Sequence, residues 1–253
     1  MMNFSRIVFS LLLVTMYIPA GAQIVNVESR RIQTDTTGWA GSFGGNINLS
    51  KNVEQVFSAG AFAHLQYKNS RNLYLFLGDY SFLKGAQKKY TDNTFFHLRY
   101  NHKFSNLTRW EAFTQLQTNK ITKIDNRFLA GMGPRFKLSG SGMLHIYLGV
   151  LFMYEYEREL VDPPVAHHNI RNSSYLSFTL KPAATLELIS TTFYQPRLDQ
   201  WSDFRILNQE SANLFITQKL SATVNWSYVY DQFPVEGIPR SNYTFSTGLK
   251  YAF

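Results

Sequence analysis

Along most of this chain, apolar and polar residues alternate one by one. Phe96, Leu98 and Tyr100 interleave with His97, Arg99, Asn101 and Lys103. A period of two is the period of a β-strand, whose successive side chains point to opposite faces. The pattern recurs in Trp110, Ala112, Thr114 and Leu116 against Arg109, Glu111, Gln115 and Gln117. It recurs in Ile146, Leu148, Val150, Phe152, Tyr154 and Tyr156 against His145, Tyr147, Glu155 and Glu157, and in Val224, Trp226, Tyr228 and Tyr230 against Asn225, Ser227 and Asp231. After residue 22 there is no helical periodicity of useful length. The alternation predicts twelve strands, over 37–50, 53–68, 72–84, 93–104, 108–121, 127–138, 142–158, 172–181, 184–196, 202–217, 220–231 and 241–253. Each is long enough for the roughly 9–11 residues that cross a bilayer as a tilted strand. An even number suits a single-chain barrel, so the fold expected is an all-β, transmembrane, antiparallel up-and-down β-barrel. Two strands carry warnings. In the tenth, Phe204, Ile206, Leu214 and Ile216 share a face with Asn208 and Glu210. A carboxylate facing lipid is costly, so a bulge or a shifted register is expected there. Pro134 removes a ladder donor from the sixth strand and suggests another bulge.

The connections sharpen this picture. From a periplasmic start, the inner turns fall at Asn69-Ser70-Arg71, Ser105-Asn106, Ser139 to Ser141, Pro182-Ala183 and Gln218-Lys219, all short and rich in turn formers. The outward connections run from Lys84 to Asn93, Ile121 to Asn126, Glu159 to Arg171, Arg197 to Trp201 and Gln232 to Arg240, with Pro163, Pro164, Pro234 and Pro239 among them. Short inside and long outside is the habit of membrane barrels; the first outward turn, Lys51-Asn52, departs from it.

Composition agrees where it bears on the question. Aromatic residues make up 16% of the chain, and cysteine is absent. High aromatic content with middling hydropathy fits a lipid face around a wet lumen. Residues 1–22 read as an export signal, with Arg6, an apolar run from Ile7 to Ile18 and the small residues Ala20-Gly21-Ala22. The run is too short to span a bilayer as a helix. The chain then divides into a signal over 1–22, a periplasmic lead over 23–36 and a barrel over 37–253. The formal charge of +8 invites a nucleic-acid reading, but Lys and Arg are dispersed and no nucleic-acid motif appears. Positive charge suits lipopolysaccharide phosphates outside, or anion preference in a lumen.

The last strand carries a resemblance. Tyr243, Phe245, Leu249, Tyr251 and Phe253 share one face. Ser246, Gly248, Tyr251 and Phe253 resemble the C-terminal signal of bacterial outer-membrane barrels (polar, any, Gly, two of any kind, aromatic, any, Phe). That resemblance implies handling by the barrel-assembly machinery and residence in the outer membrane. Six further segments extend it: Gly38-Trp39-Ala40-Gly41-Ser42, Leu77-Gly78-Asp79-Tyr80, Arg109-Trp110-Glu111-Ala112-Phe113, Gly131-Met132-Gly133-Pro134-Arg135-Phe136, Tyr154-Glu155-Tyr156-Glu157 and Tyr194-Gln195-Pro196. Together they resemble a family of uncharacterised bacterial proteins that carries a domain of unknown function and is often labelled salt-induced outer-membrane protein, in the style of Bacteroidetes members. The resemblance covers about residues 37–253. It implies a barrel and brings no catalytic residues.

Candidate chemistry therefore concentrates in the lumen. By parity Arg99, Lys103, Arg109, Glu111, Arg135, Lys137, Glu155, Glu157, Asp203, Arg205 and Lys250 project inward. Such charges either pair across strands and plug the barrel, or line a wet path and set selectivity. Arg99, Arg109 and Glu111 are expected to form one paired network. The role expected is envelope integrity, or passage of small solutes or ions. An outer-membrane lipid hydrolase is the alternative, and a secreted soluble β-sandwich a further one. No G-x-S-x-G motif appears, and His97 and His145 fit hydrogen-bonded lumen fillers. His167-His168 sits in a predicted outer loop with Glu159 and Asp162, a set with no clear third ligand in metal-binding spacing. No catalytic set, metal or cofactor is expected. The partners expected are lipid, lipopolysaccharide and the assembly machinery, with the chain a monomer.

Overall fold

Strict alternation can satisfy lipid on one side and water on the other only if the strands pair into one continuous sheet. The computed structural model describes Val27 and residues 37–51, 55–85, 88–140, 142–217 and 220–251. The expected signal, the rest of the lead and Phe253 lie outside the described residues, as do the side chains of Lys250 and Tyr251.

Among the described residues there are twelve strands: β1 (Gly38–Lys51), β2 (Gln55–Lys68), β3 (Asn72–Gly85), β4 (Lys88–Lys103), β5 (Thr108–Asn119), β6 (Ile124–Gly140), β7 (Leu144–Glu159), β8 (Ala166–Ala183), β9 (Leu186–Pro196), β10 (Phe204–Phe215), β11 (Leu220–Asp231) and β12 (Ser241–Tyr251). They form one sheet in strict sequence order, each paired antiparallel with the next. This is the up-and-down barrel topology, and a sandwich of two packed sheets is set aside. The described ladders run from β1 to β12 without a β1–β12 pair, but Asn46 and Asn242, on the two edge strands, line one interior cavity.

The inner turns are fixed by side chains acting as backbone acceptors. Asn69 Oδ1 accepts from the backbone N–H of Arg71 and Asn72, and Ser105 Oγ from those of Leu107 and Thr108. Thr217 Oγ1 takes the N–H of Leu220. These are the Asx and ST turns that Asn and Ser favour.

Several expectations are corrected. β3 and β4 run on past the expected ends, so the outward connection placed at Lys84 to Asn93 shrinks to residues 86–87. β8 begins at Ala166, so His167, His168 and Arg171 lie on a strand and not in a loop. No bulge forms at Pro134: the β6–β7 register is the same on both sides of it, and the shifts lie between Ile124 and Asn126 and between Lys137 and Ser139. β10 carries no bulge either. It pairs without a shift to β9 and β11, so Asn208 and Glu210 do face outward, opposite Thr192 and Ser190 on β9.

Elsewhere the faces follow parity. Phe96, Leu98, Leu116, Met132 and Phe152 are exposed on the lipid side, whereas His97, Arg99, Asn101, Glu111, Glu155 and Glu157 are buried inside. The inner face of β3 is apolar from Leu73 to Leu77, before Asp79 and Ser81: Leu75 and Leu77 are buried and pack with Val27, flanked by Leu73 and Phe95. The lead expected in the periplasm thus sends Val27 into the lumen.

Candidate functional site

The lumen holds two belts of buried charge at different depths. The outer belt is drawn from the outward ends of β6, β7, β8, β10 and β11. Glu155, on β7, is fully buried. Its Oε1 accepts from Arg127 Nε at 2.8 Å and from Arg205 Nη1, and its Oε2 from Arg171 Nε at 2.6 Å. Glu157, two residues on and so on the same face, meets Arg127 at 3.2 Å and Arg205 at 3.4 Å. Asp203 bridges Arg171 at 3.0 Å and Arg197 at 3.2 Å, and Asp231 holds Arg205 Nε at 2.6 Å. Four arginines thus face four carboxylates and cancel. A buried carboxylate is tolerable only with this density of donors.

The inner belt lies closer to the periplasmic ends of β5 and β6. Glu111, on β5, is buried and accepts from Arg135 Nη1 at 3.0 Å and from the Tyr175 hydroxyl of β8. Tyr175 can reach across because Gly149 lies beneath it; a Cβ there would come within 2.2 Å of the ring. Arg135 also stacks over Tyr147 at 4.1 Å, and Arg109 approaches the same ring at 5.5 Å. Cations favour the negative face of such a ring. The residues expected to form one network, Arg99, Arg109 and Glu111, stand on the facing inward rows of β4 and β5. The register sets Arg99 opposite Phe113, Asn101 opposite Glu111 and Lys103 opposite Arg109. Arg99 accordingly lies over Phe113 and donates Nε to His97 Nε2 at 3.3 Å.

Of the other residues singled out in the sequence, Asp203 and Arg205 enter the outer belt, and Lys103 and Lys137 are half-buried at the periplasmic end. Among the described residues those two lysines make no ion pair. Ser246 and Gly248 lie on the inward row of β12, opposite Asn225 and Thr223. Sequence reasoning missed Arg127, Arg171, Arg197 and Tyr175. Arg127 shares its inward row with Leu129, a signal that was available; Arg171 was hidden by the misplaced start of β8. His167 and His168 diverge, as neighbours on a strand must: His167 Nε2 meets Glu159 Oε1 at 2.8 Å, while His168 packs against Tyr154 and Tyr156. They do not form a common metal site.

Between the belts and the outer mouth lies a chamber of about 770 Å³. Its wall mixes Phe113, Leu129, Leu151, Met153, Phe193 and Leu207 with the amides of Gln115, Gln117, Gln195 and Gln209, and Arg99, Arg127, Glu157 and Arg205 also border it. Apolar side chains thus share the lumen with the polar groups a barrel interior ordinarily carries. The roof comes from the β11–β12 connection, residues 232–240. Its Val235 is buried, and Glu236 O accepts Lys123 Nζ at 2.7 Å from the β5–β6 turn. Gly237 permits the bend, at a φ of +80°.

Residues 32–253 match the family model of a protein of unknown function, DUF481. The chain belongs to this family. No curated protein matches the chain. Among solved structures the DUF481 chain is similar to the NanC porin, at 9% identity with a TM-score of 0.52 over 83% of this chain and 98% of that one. It also matches the translocator domain of the autotransporter NalP from Neisseria meningitidis, at 10% identity, TM-score 0.46, covering 87% and 90%. A third match is the KdgM porin in complex with disordered oligogalacturonate, at 10% identity, TM-score 0.43, covering 83% and 99%. The NanC likeness shows a shared barrel fold for this member of the family.

Proposed function

We infer that this DUF481 barrel sits in the bacterial outer membrane and admits small anionic or amphipathic solutes through a gated lumen. The observation that carries the reading is how charge is distributed with depth. The outer belt is paired and close to neutral, so it sets no strong field at the entrance. Below Glu111 and Tyr175 the inner face turns basic, with Arg109, Lys103 and Lys137 lacking carboxylate partners among the described residues. Rings of cations in a narrow lumen favour anions. The apolar and amide wall of the chamber suits a solute with both characters. In this reading Tyr175, with Glu111 and Arg135, is the gate, and the 232–240 connection is the outer lid.

Planar-bilayer conductance tests this directly. The native barrel is expected to conduct little. Tyr175→Ala removes the ring that spans the lumen and should raise conductance, with a reversal potential on the anion side in a salt gradient. Cation preference in that variant overturns the reading. A second reading, envelope integrity by a sealed barrel, is favoured by the same buried belts; it takes precedence if Tyr175→Ala folds and still does not conduct. The salt-induced label of the resembling proteins is part of the proposal and is checked by barrel abundance at raised salt. The hydrolase alternative is checked by release of fatty acid from phospholipid.

A further inference from the structure

The outward rows of the twelve strands are mostly apolar or aromatic, as lipid demands. One region is not. On β10, Glu210 is the seventh of twelve residues, at mid-strand, and it is exposed. Among the described residues it makes no hydrogen bond or ion pair, and no other charged side chain stands at mid-strand on an outward row. Its neighbours on that face are polar too. Asn208 lies two residues along, Ser190 is opposite Glu210, and Thr192 is opposite Asn208. Asn208 Nδ2 donates to Thr192 Oγ1 at 2.8 Å, while Asn208 Oδ1 accepts nothing. On β8 the patch continues through Asn172 and Ser174, whose hydroxyl donates to Asn172 Oδ1 at 2.7 Å.

Hydrocarbon offers these groups nothing, and unmet polar groups in lipid are expensive. A lipid headgroup cannot reach mid-membrane, so protein is the occupant that meets the need. We propose that the outer face of β8–β10 is where two copies of this chain meet within the membrane. The donors and acceptors of the patch argue for a second copy. Glu210 as a carboxylate only accepts. Thr192 already accepts from Asn208 and has its own proton left to give, and Asn208 has a second amide proton. Under a two-fold axis, each Glu210 therefore meets the donors of the other copy, and the same contact is made twice. Both copies must insert with the same side outward, so the axis runs along the membrane normal and mid-membrane groups meet at equal depth. Tyr194, Trp226, Tyr228, Leu176 and Phe178 surround the patch with flat apolar surface that can pack against its twin. This proposal differs from the monomer expected from the sequence.

The absence of cysteine from the chain makes the test clean. Ala212→Cys, two residues from Glu210 on the same outward row, and Met132→Cys, on β6, are each reconstituted into phospholipid vesicles at low protein-to-lipid ratio and oxidised. The disulfide-linked dimer of Ala212→Cys is expected to exceed that of Met132→Cys by about tenfold or more. Adding Glu210→Leu to Ala212→Cys should cut the yield by roughly tenfold, equivalent to about 1.4 kcal/mol of association. Heat-modifiable gel mobility of Glu210→Leu shows that the barrel has folded. Leucine there suits lipid, so a folding failure, like a folded variant that still cross-links fully, overturns the proposal. Equal cross-linking at positions 212 and 132 also overturns it. So does a cysteine at 212 that, in cells, links chiefly to a different outer-membrane protein.

Discussion

At the scale of single residues, the lumen is held by groups that cannot be changed alone. Glu155 serves Arg127, Arg171 and Arg205 at once. Glu155→Gln keeps the shape and removes the charge, leaving three guanidinium groups short of a counter-ion. Breaking such a buried arrangement from one side costs about 3–5 kcal/mol, and a lowered denaturant midpoint in lipid vesicles is the measurement. Gly149 makes a different kind of demand. Gly149→Ala would push its methyl into Tyr175 and lift the hydroxyl from Glu111. Overpacking of that sort costs roughly 1–3 kcal/mol, and under the proposed gating role of the ring it should also raise conductance. At the rim, Arg197 hydrogen-bonds Asp199 and holds its carboxyl below the usual range. A carboxyl depressed on folding stabilises above its unfolded value and loses that contribution as pH falls through the folded one. Acidification through the carboxylate range should therefore loosen the 197–203 connection, seen as lower hydrogen-exchange protection factors, relative to the intrinsic rate at each pH, at the amides of Leu198 and Asp203.

At the scale of strands, parity makes a sharp statement about β7. Leu148 and Val150 face lipid, and Leu148→Arg should cost about 2–4 kcal/mol near mid-membrane. Single cysteines at 148 and 150 should take a lipid-soluble reagent, and one at 145 a water-soluble reagent. A cysteine at 155 should take neither, since the outer belt seals that position. The reverse pattern at 145 and 148 would place the strand one residue out of register. The inward faces of β4, β5 and β7 were legible in the sequence because period two is a local property, visible in any window of six residues. What was not legible needed distance in space. Arg127 and Arg171 meet Glu155 only because β6 and β8 flank β7, and Tyr175 finds Glu111 from three strands away. The start of β8 escaped notice because Pro163-Pro164 reads as loop, and the strand resumes at Ala166 immediately after it. In β10 the outward Asn208 and Glu210 looked like an error of register. The register is sound, and the polarity belongs to the face itself.

At the scale of the whole molecule, the order β1 to β12 makes each strand depend only on its neighbours until the ends of the sheet are brought together. From the resemblance of Ser246, Gly248, Tyr251 and Phe253 to an assembly signal, we propose that this last step is under external control. Deleting Phe253 should leave export intact, slow insertion and increase periplasmic degradation; unchanged outer-membrane levels would separate the tail from assembly. Heat-modifiable mobility in detergent should accompany the native chain and be lost from material that fails to insert.

The outer belt has a consequence for descent. Because Arg127, Arg171 and Arg205 share one carboxylate, and Arg205 also answers to Glu157 and Asp231, a lineage cannot lose any one member without a period of poor folding. Change should come in compensated steps, with a charge lost on β7 matched by one lost on β6, β8 or β10. Related chains aligned on these strands should show those positions drifting together, while the lipid-facing rows exchange one apolar residue for another freely.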